Sequence, residues 1–262
     1  MTAPFEGVGV ALVTLFDDRG DLDAPATADL AARLVDTGVV RAVIVAGSTG
    51  EAAALSDEER TVLLDTVRDA VRAAVPASSG VPVVAGTGAP SARQAVALTT
   101  AACDHGADAV LVLSPPGSAN PRPYYDQVAK AAGGTPVLAY HFPAVSPPGI
   151  PVALLGDLPV AACKDSSGDA GRLLESRSRY GGPLYVGSSA LLSFAGPLGC
   201  AGAILALANA EPERCAAAFA GDAAAQLALA EPHRQSTVGF PSGIKALTAA
   251  RFGTSTVTRL GS

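Results

Sequence analysis

Lysine is nearly missing from this chain. Of its 262 residues only Lys130, Lys164 and Lys245 carry a primary amine, against fifteen arginines. Arginine stays protonated, so any chemistry that needs a titratable side-chain amine has three candidates. Histidine is almost as scarce, at three residues with no HxxxH pair. The four cysteines, Cys103, Cys163, Cys200 and Cys215, stand in apolar surroundings without CxxC spacing. Together these patterns argue against a zinc site, and the thiols read as buried, inert groups of a cytoplasmic protein. An excess of positive charge is absent too. The formal net charge is -6, which argues against a nucleic-acid or polyanion binder. No stretch approaches the eighteen or more uncharged apolar residues of a membrane span. Met1 to Gly9 lacks a basic segment followed by an apolar one, so no secretory signal is read there.

What the chain does have is repetition. Short apolar runs recur at Val8–Leu15, Ala42–Ala46, Val83–Ala85, Ala109–Leu113, Val137–Tyr140, Val160–Cys163, Leu184–Val186 and Ala203–Leu205. They are continuously apolar rather than alternating, as parallel strands buried on both faces require. Helical stretches lie between them. Ser56-Asp57-Glu58-Glu59 is a capping box that opens a helix to about Val75, where Pro76 stops it. Pro90-Ser91 opens another that ends near His105-Gly106. Strict β/α alternation predicts an α/β protein, a (β/α)8 TIM barrel over residues 1–208. Residues 209–262 read as a short C-terminal helical extension, broken at Gly221-Asp222 and at Phe240-Pro241-Ser242-Gly243.

A barrel keeps its chemistry at the C-terminal ends of its strands. Lys164 follows the apolar run Pro159–Cys163 and so reaches the barrel mouth. There, burial disfavours the ammonium, and a neutral amine can attack a ketone to form a Schiff base. The alternatives are a lysine snorkelling out of the strand end or pairing with Asp165. Lys130 and Lys245 are not at strand ends and read as structural or solvated. Tyr140 ends the preceding strand, so its phenol can share the mouth with Lys164 and shuttle protons. His141 should face the other way. Gly47-Ser48-Thr49-Gly50-Glu51, a flexible loop entering a helix, offers two hydroxyls and backbone N–H groups to a small carboxylate.

In combination these loops resemble the dihydrodipicolinate synthase / N-acetylneuraminate lyase family of pyruvate-dependent class I aldolases. The motifs that carry the resemblance are Gly47-Ser48-Thr49-Gly50-Glu51, Ala85-Gly86-Thr87-Gly88, Tyr140-His141-Phe142-Pro143 and Lys164-Asp165-Ser166-Ser167-Gly168. It extends from Val8 to Ile204. It implies that Lys164 forms the imine with pyruvate or another 2-oxo acid and that Tyr140 relays protons, with Thr49 in the same relay. Ser48 and Thr49 would bind the 2-oxo acid carboxylate, and Gly187 and Ile204 would line the site. An aldehyde is the implied second substrate, no metal or organic cofactor is implied, and a homo-oligomer (dimer or tetramer) is expected.

Three departures stand out. The synthase branch has an aromatic pair after strand 4, where this chain has Pro115-Pro116-Gly117; Tyr124 and Tyr125 lie too far downstream to align. That branch also carries an arginine after strand 5, where this chain reads Ala144-Val145-Ser146-Pro147-Pro148. The tail is short. The expected activity is therefore Schiff-base carbon–carbon chemistry on a 2-oxo acid, with a neutral acceptor favoured by Phe142 and Val145. Its rivals are a true dihydrodipicolinate synthase and a barrel that binds oxo acids without turnover.

Overall fold

The eight apolar runs form eight parallel strands that close on themselves in chain order, each paired with its sequence neighbours and the last with the first. This computed structural model describes residues 2–75 and 80–260; Met1 and Pro76 lie outside them. The strands are β1 (Gly7–Ala11), β2 (Val40–Val45), β3 (Val83–Gly86), β4 (Ala109–Leu113), β5 (Val137–His141), β6 (Ala162–Asp165), β7 (Leu184–Val186) and β8 (Gly202–Leu205). Around them run α1 (Ala24–Asp36), α2 (Asp57–Ala74), α3 (Ala92–Asp104), α4 (Arg122–Ala132), α5 (Ala170–Arg179) and the single turn α6 (Leu192–Ala195). After β8 come α7 (Pro212–Phe219), α8 (Ala223–Ala228), α9 (Ala230–Thr237) and α10 (Ser242–Phe252), which make the C-terminal helical extension of a (β/α)8 barrel.

Helix starts follow their capping residues. Ser56 accepts from the Glu59 N–H at 3.1 Å while Glu59 Oε2 accepts from the Ser56 N–H at 2.9 Å, closing the capping box of α2. The side chains of Ser91, Asp169 and Asp222 cap α3, α5 and α8 by accepting from first-turn backbone N–H groups. Several strand boundaries shift from the sequence expectation, β2 for instance beginning at Val40 rather than Ala42, and two of the shifts bear on the site. β1 leaves the ladder at Ala11, and the apolar run to Phe16 continues as buried loop. Its backbone is satisfied by side chains instead: Asn209 Oδ1 accepts from the Val13 N–H and Thr27 Oγ1 from the Leu15 N–H. A buried loop and a buried strand have the same composition, so the run could not mark its own end. β6 begins two residues later than expected and runs through Lys164 to Asp165. Lys164 is therefore a strand residue, with its direction fixed by the pleat rather than by a loop.

Strand alternation sorts the apolar side chains into two cores. Residues such as Val43, Val45, Val110, Val112 and Val186 face outward and pack against the helices. Ala42, Ile44, Val84, Leu111, Leu138, Ala162, Tyr185 and Ile204 face the axis and fill the barrel. Each buried leucine or valine contributes about 1.5–3 kcal/mol by leaving water. Phe5 plugs the N-terminal end of the barrel. Its ring lies 4.6 Å from that of Tyr185, whose hydroxyl donates to the Phe5 carbonyl at 2.6 Å and accepts from the Phe5 N–H at 3.2 Å. Among the described residues no helix is long and apolar enough to cross a membrane.

Candidate active site

Tyr140 and Lys164 are register partners on β5 and β6. Both lie in phase with the axis-facing set, one step beyond Leu138 and Ala162. The Lys164 Nζ sits 4.1 Å from the centre of the Tyr140 ring, and each residue is 5% exposed. Tyr140 also stacks on Phe142, with centroids 5.8 Å apart. Alternation sends the next residue of each strand outward. Asp165 pairs with Arg172 at 2.7 Å and accepts from the Ser167 N–H at 2.8 Å, so it does not neutralise Lys164. Among the described residues no carboxylate lies within ion-pairing distance of the Lys164 amine. His141 turns outward as expected. Its Nδ1 accepts from the Ile150 N–H at 2.8 Å, and burial, helped by the nearby Arg172 charge, lowers its pKa to about 4. It is a neutral structural imidazole.

The Gly47–Glu51 loop comes to the same place by a more constrained route. Ala46 and Glu51 both hold left-handed backbone, with φ of 50° and 55°, a conformation that costs a non-glycine residue about 1–3 kcal/mol unless its surroundings impose it. Those surroundings are visible. A Cβ on Gly86 would lie 2.1 Å from the Ala46 carbonyl oxygen, so only glycine lets β3 approach the loop. Thr14 donates to the Gly50 carbonyl at 2.7 Å. Glu51 is fully buried; its Oε1 meets the Lys245 ammonium at 2.5 Å and its Oε2 accepts from the backbone N–H groups of Arg259 and Leu260 at 2.7 and 2.8 Å. The loop is thus clamped rather than flexible, and a single 3-10 turn, Ala52–Ala54, separates it from α2.

Of the two alternatives open for Lys245, structural or solvated, this clamp makes it structural. It is 0% exposed, donates to the Val257 carbonyl at 2.6 Å and lies 4.4 Å from the centre of the Phe16 ring. Burial pushes its pKa down, and the Glu51 carboxylate opposes that shift. Arg259 extends the network, forking onto Glu59 at 2.7 and 2.8 Å and donating to the carbonyls of Gly20 and Ala54. Nothing near Lys245 in sequence announces these partners. Lys130 is exposed on α4.

All six residues singled out from the sequence, Ser48, Thr49, Tyr140, Lys164, Gly187 and Ile204, line one cavity of about 580 Å³ at the C-terminal end of the barrel. At Gly187 a Cβ would lie 1.8 Å from Ser166 Oγ, so the β6 and β7 loops meet there only around a glycine. Thr49 and Tyr140 share the cavity without a hydrogen bond between them. Tyr124 and Tyr125 stay behind the wall: the Tyr124 hydroxyl bridges Ala89 and Leu113, and that of Tyr125 donates to the Val112 carbonyl at 2.8 Å. The sequence reading missed one part of the lining. His233, Ser236, Thr237 and Phe240 also face this cavity, all from the C-terminal extension. Their approach depends on tertiary packing of the tail, for which no local motif exists. Among the described residues no three of His, Cys, Asp and Glu gather as metal ligands.

An eight-stranded barrel with a buried amine, a phenol beside it and hydroxyls across the mouth defines an aldolase-type enzyme of the lyase class. Comparison with known proteins carries this further. Residues 4–252 match the model of the dihydrodipicolinate synthetase family, and the chain belongs to that family, which includes Schiff-base class I aldolases and lyases acting on pyruvate. A DapA-like lyase of Halobacterium salinarum is 37% identical over 79% of this chain and 68% of its own length. The 4-hydroxy-tetrahydrodipicolinate synthase of Pseudomonas aeruginosa is 37% identical over 85% of this chain and 78% of its own. Among solved structures, YagE, a prophage protein of the same family from E. coli K12 in complex with pyruvate, superposes with a TM-score of 0.87 at 27% identity. That match covers 99% of this chain and 93% of YagE.

Proposed function

We propose that this protein is a class I aldolase in which Lys164 forms the imine with pyruvate or a related 2-oxo acid and an uncharged aldehyde is the second substrate. The observation that carries the reading is the inward pairing of Lys164 with Tyr140, with no carboxylate held against the amine. The amine lone pair attacks the C2 carbonyl, and the carbonyl oxygen leaves as water after protonation. The resulting iminium draws electrons from C3, which loses a proton and then bonds to the aldehyde carbon; in the cleavage direction that same bond breaks. Tyr140 carries protons to and from the carbonyl oxygens, and Thr49, which makes no hydrogen bond to it, joins that relay through water. Ser48 and Thr49, with the backbone of their clamped loop, hold the 2-oxo acid carboxylate, while Gly187 and Ile204 form the walls.

Lining chemistry supports the neutral acceptor. Apart from Lys164, the only basic side chain facing the cavity among the described residues is His233, whose pKa burial lowers. A second carboxylate, such as that of aspartate semialdehyde, would lack the charge-assisted contact worth about 1.5–3 kcal/mol. Borohydride reduction in the presence of pyruvate, followed by digestion and mass spectrometry, tests the imine. The expected result is a pyruvate adduct on the peptide bearing Lys164, and absence of any adduct with pyruvate or other 2-oxo acids defeats the reading. Turnover with aspartate semialdehyde would instead establish the synthase. An adduct without turnover across an aldehyde panel would establish a binding protein.

The four free cysteines support a cytoplasmic setting. Self-association belongs to the same proposal. Exposed Val145 and Phe240 edge a mainly apolar cleft of about 670 Å³ beside the mouth, and sedimentation velocity at two concentrations checks for a dimer or tetramer.

A further inference from the structure

In the same cavity, two residues beyond Gly187, the Ser189 hydroxyl lies 2.8 Å from the Nδ1 of His233. Ser189 follows β7, and His233 reaches it from α9. Both positions are held from behind. Gln226 donates to the Ser189 carbonyl at 2.9 Å and accepts from the Ser193 N–H at 2.9 Å, and Ser236 donates to the His233 carbonyl at 2.8 Å. No carboxylate orients the imidazole among the described residues, so the pair lacks the third member that a nucleophilic serine needs. Burial holds the His233 pKa below its ordinary value, which leaves a neutral ring at pH 7. Its Nε2 has no protein partner among the described residues.

Such a pair has a definite bonding capacity. If Ser189 donates to Nδ1, the serine oxygen still accepts and Nε2–H still donates. If Nδ1–H donates to Ser189, the serine hydroxyl donates onward. Either tautomer leaves both a donor and an acceptor for the cavity without a charge, which suits a neutral hydroxyl and leaves a carboxylate uncompensated. The neighbouring Ser166, Ser167 and Ser188 add further uncharged polar groups to that wall.

We infer that Ser189 and His233 form the acceptor subsite, and that His233, delivered by the C-terminal extension, is a specificity-determining residue that reads an uncharged polar substituent on the aldehyde. This rests on the imine reading above and deepens it. A purely structural pair, fastening the tail to the β7 loop, would affect all aldehydes equally.

Glyceraldehyde and propanal, matched in carbon count and differing in hydroxyls, separate the two roles. With pyruvate as donor, the wild-type protein should favour glyceraldehyde in kcat/KM. H233F and S189A should each shrink that preference roughly tenfold, through loss of glyceraldehyde turnover while propanal is little changed. H233Q, which retains a donor and an acceptor, should restore part of it. Borohydride trapping of pyruvate by each variant reports whether the site is folded and the imine chemistry intact. A wild-type adduct with no aldehyde preference, or with a preference that every adduct-forming variant retains, overturns the subsite alone. No adduct in the wild-type protein overturns the imine reading and this proposal with it.

Discussion

Lys164 and Lys245 are both nearly or wholly withdrawn from solvent, and each places its Nζ over an aromatic ring, at 4.1 and 4.4 Å. They differ in what faces them. Lys245 meets the buried Glu51 carboxylate and donates to a backbone carbonyl, so its charge is compensated. Lys164 meets a phenol ring and an open cavity. Burial and an aromatic ring are common to both lysines; the counter-ion separates them, and here strand alternation decides the counter-ion. Asp165 is adjacent in sequence, yet the pleat turns it outward to Arg172.

Substitution can break this comparison at either end. The largest effect is expected from K164A, which should reduce both the borohydride-trapped adduct and aldol turnover to background while circular dichroism stays native. Removal of the neighbouring hydroxyl in Y140F should come next. A lost general acid–base contributes about 10²–10⁴-fold, so single-turnover rates should fall by that order with the adduct still forming. At the other end, K245M should leave a buried, unpaired carboxylate and destabilise the fold by about 3–5 kcal/mol, read in urea denaturation. Pairing it with E51L should recover much of that loss. A K245M protein that loses the pyruvate adduct while remaining native in stability would erase the distinction between the two lysines.

The smallest effect concerns pH. The Arg259 fork lowers the Glu59 pKa, so between the folded value and the ordinary carboxylate value of 4.5 the unfolded chain binds more protons than the folded one. The contribution is complete above that range and is lost as pH falls through the folded value. The stability gap between wild type and E59Q should close on acidification. For a pair this accessible to solvent the gap is expected to be below about 1 kcal/mol, measured by denaturation at pH 7 and pH 3.

The contrast also marks what could be read from the residues in order. The barrel was legible because parallel strands buried on both faces leave runs such as Val83–Ala85 and Ala109–Leu113. It became blurred where loop and strand share an environment, as at Leu12–Phe16. Lys164 and Tyr140 could be located because strand ends in a barrel converge. The Glu51–Lys245–Arg259 clamp could not, since Arg259 lies 208 residues beyond its carboxylate partner. For the same reason His233 was invisible as a lining residue. Local pattern announces what a strand presents, whereas only packing announces what the tail brings back to it.

Phe5, with its ring against Tyr185, stops the floor of the barrel, and the cavity around Lys164 opens at the opposite end. In the reaction proposed above, both reactants would therefore share one door, the oxo acid entering first and the aldehyde queuing behind it, and the joined product would have to clear the threshold before another cycle. The stopper at the floor of the fold would then also set the traffic at its mouth.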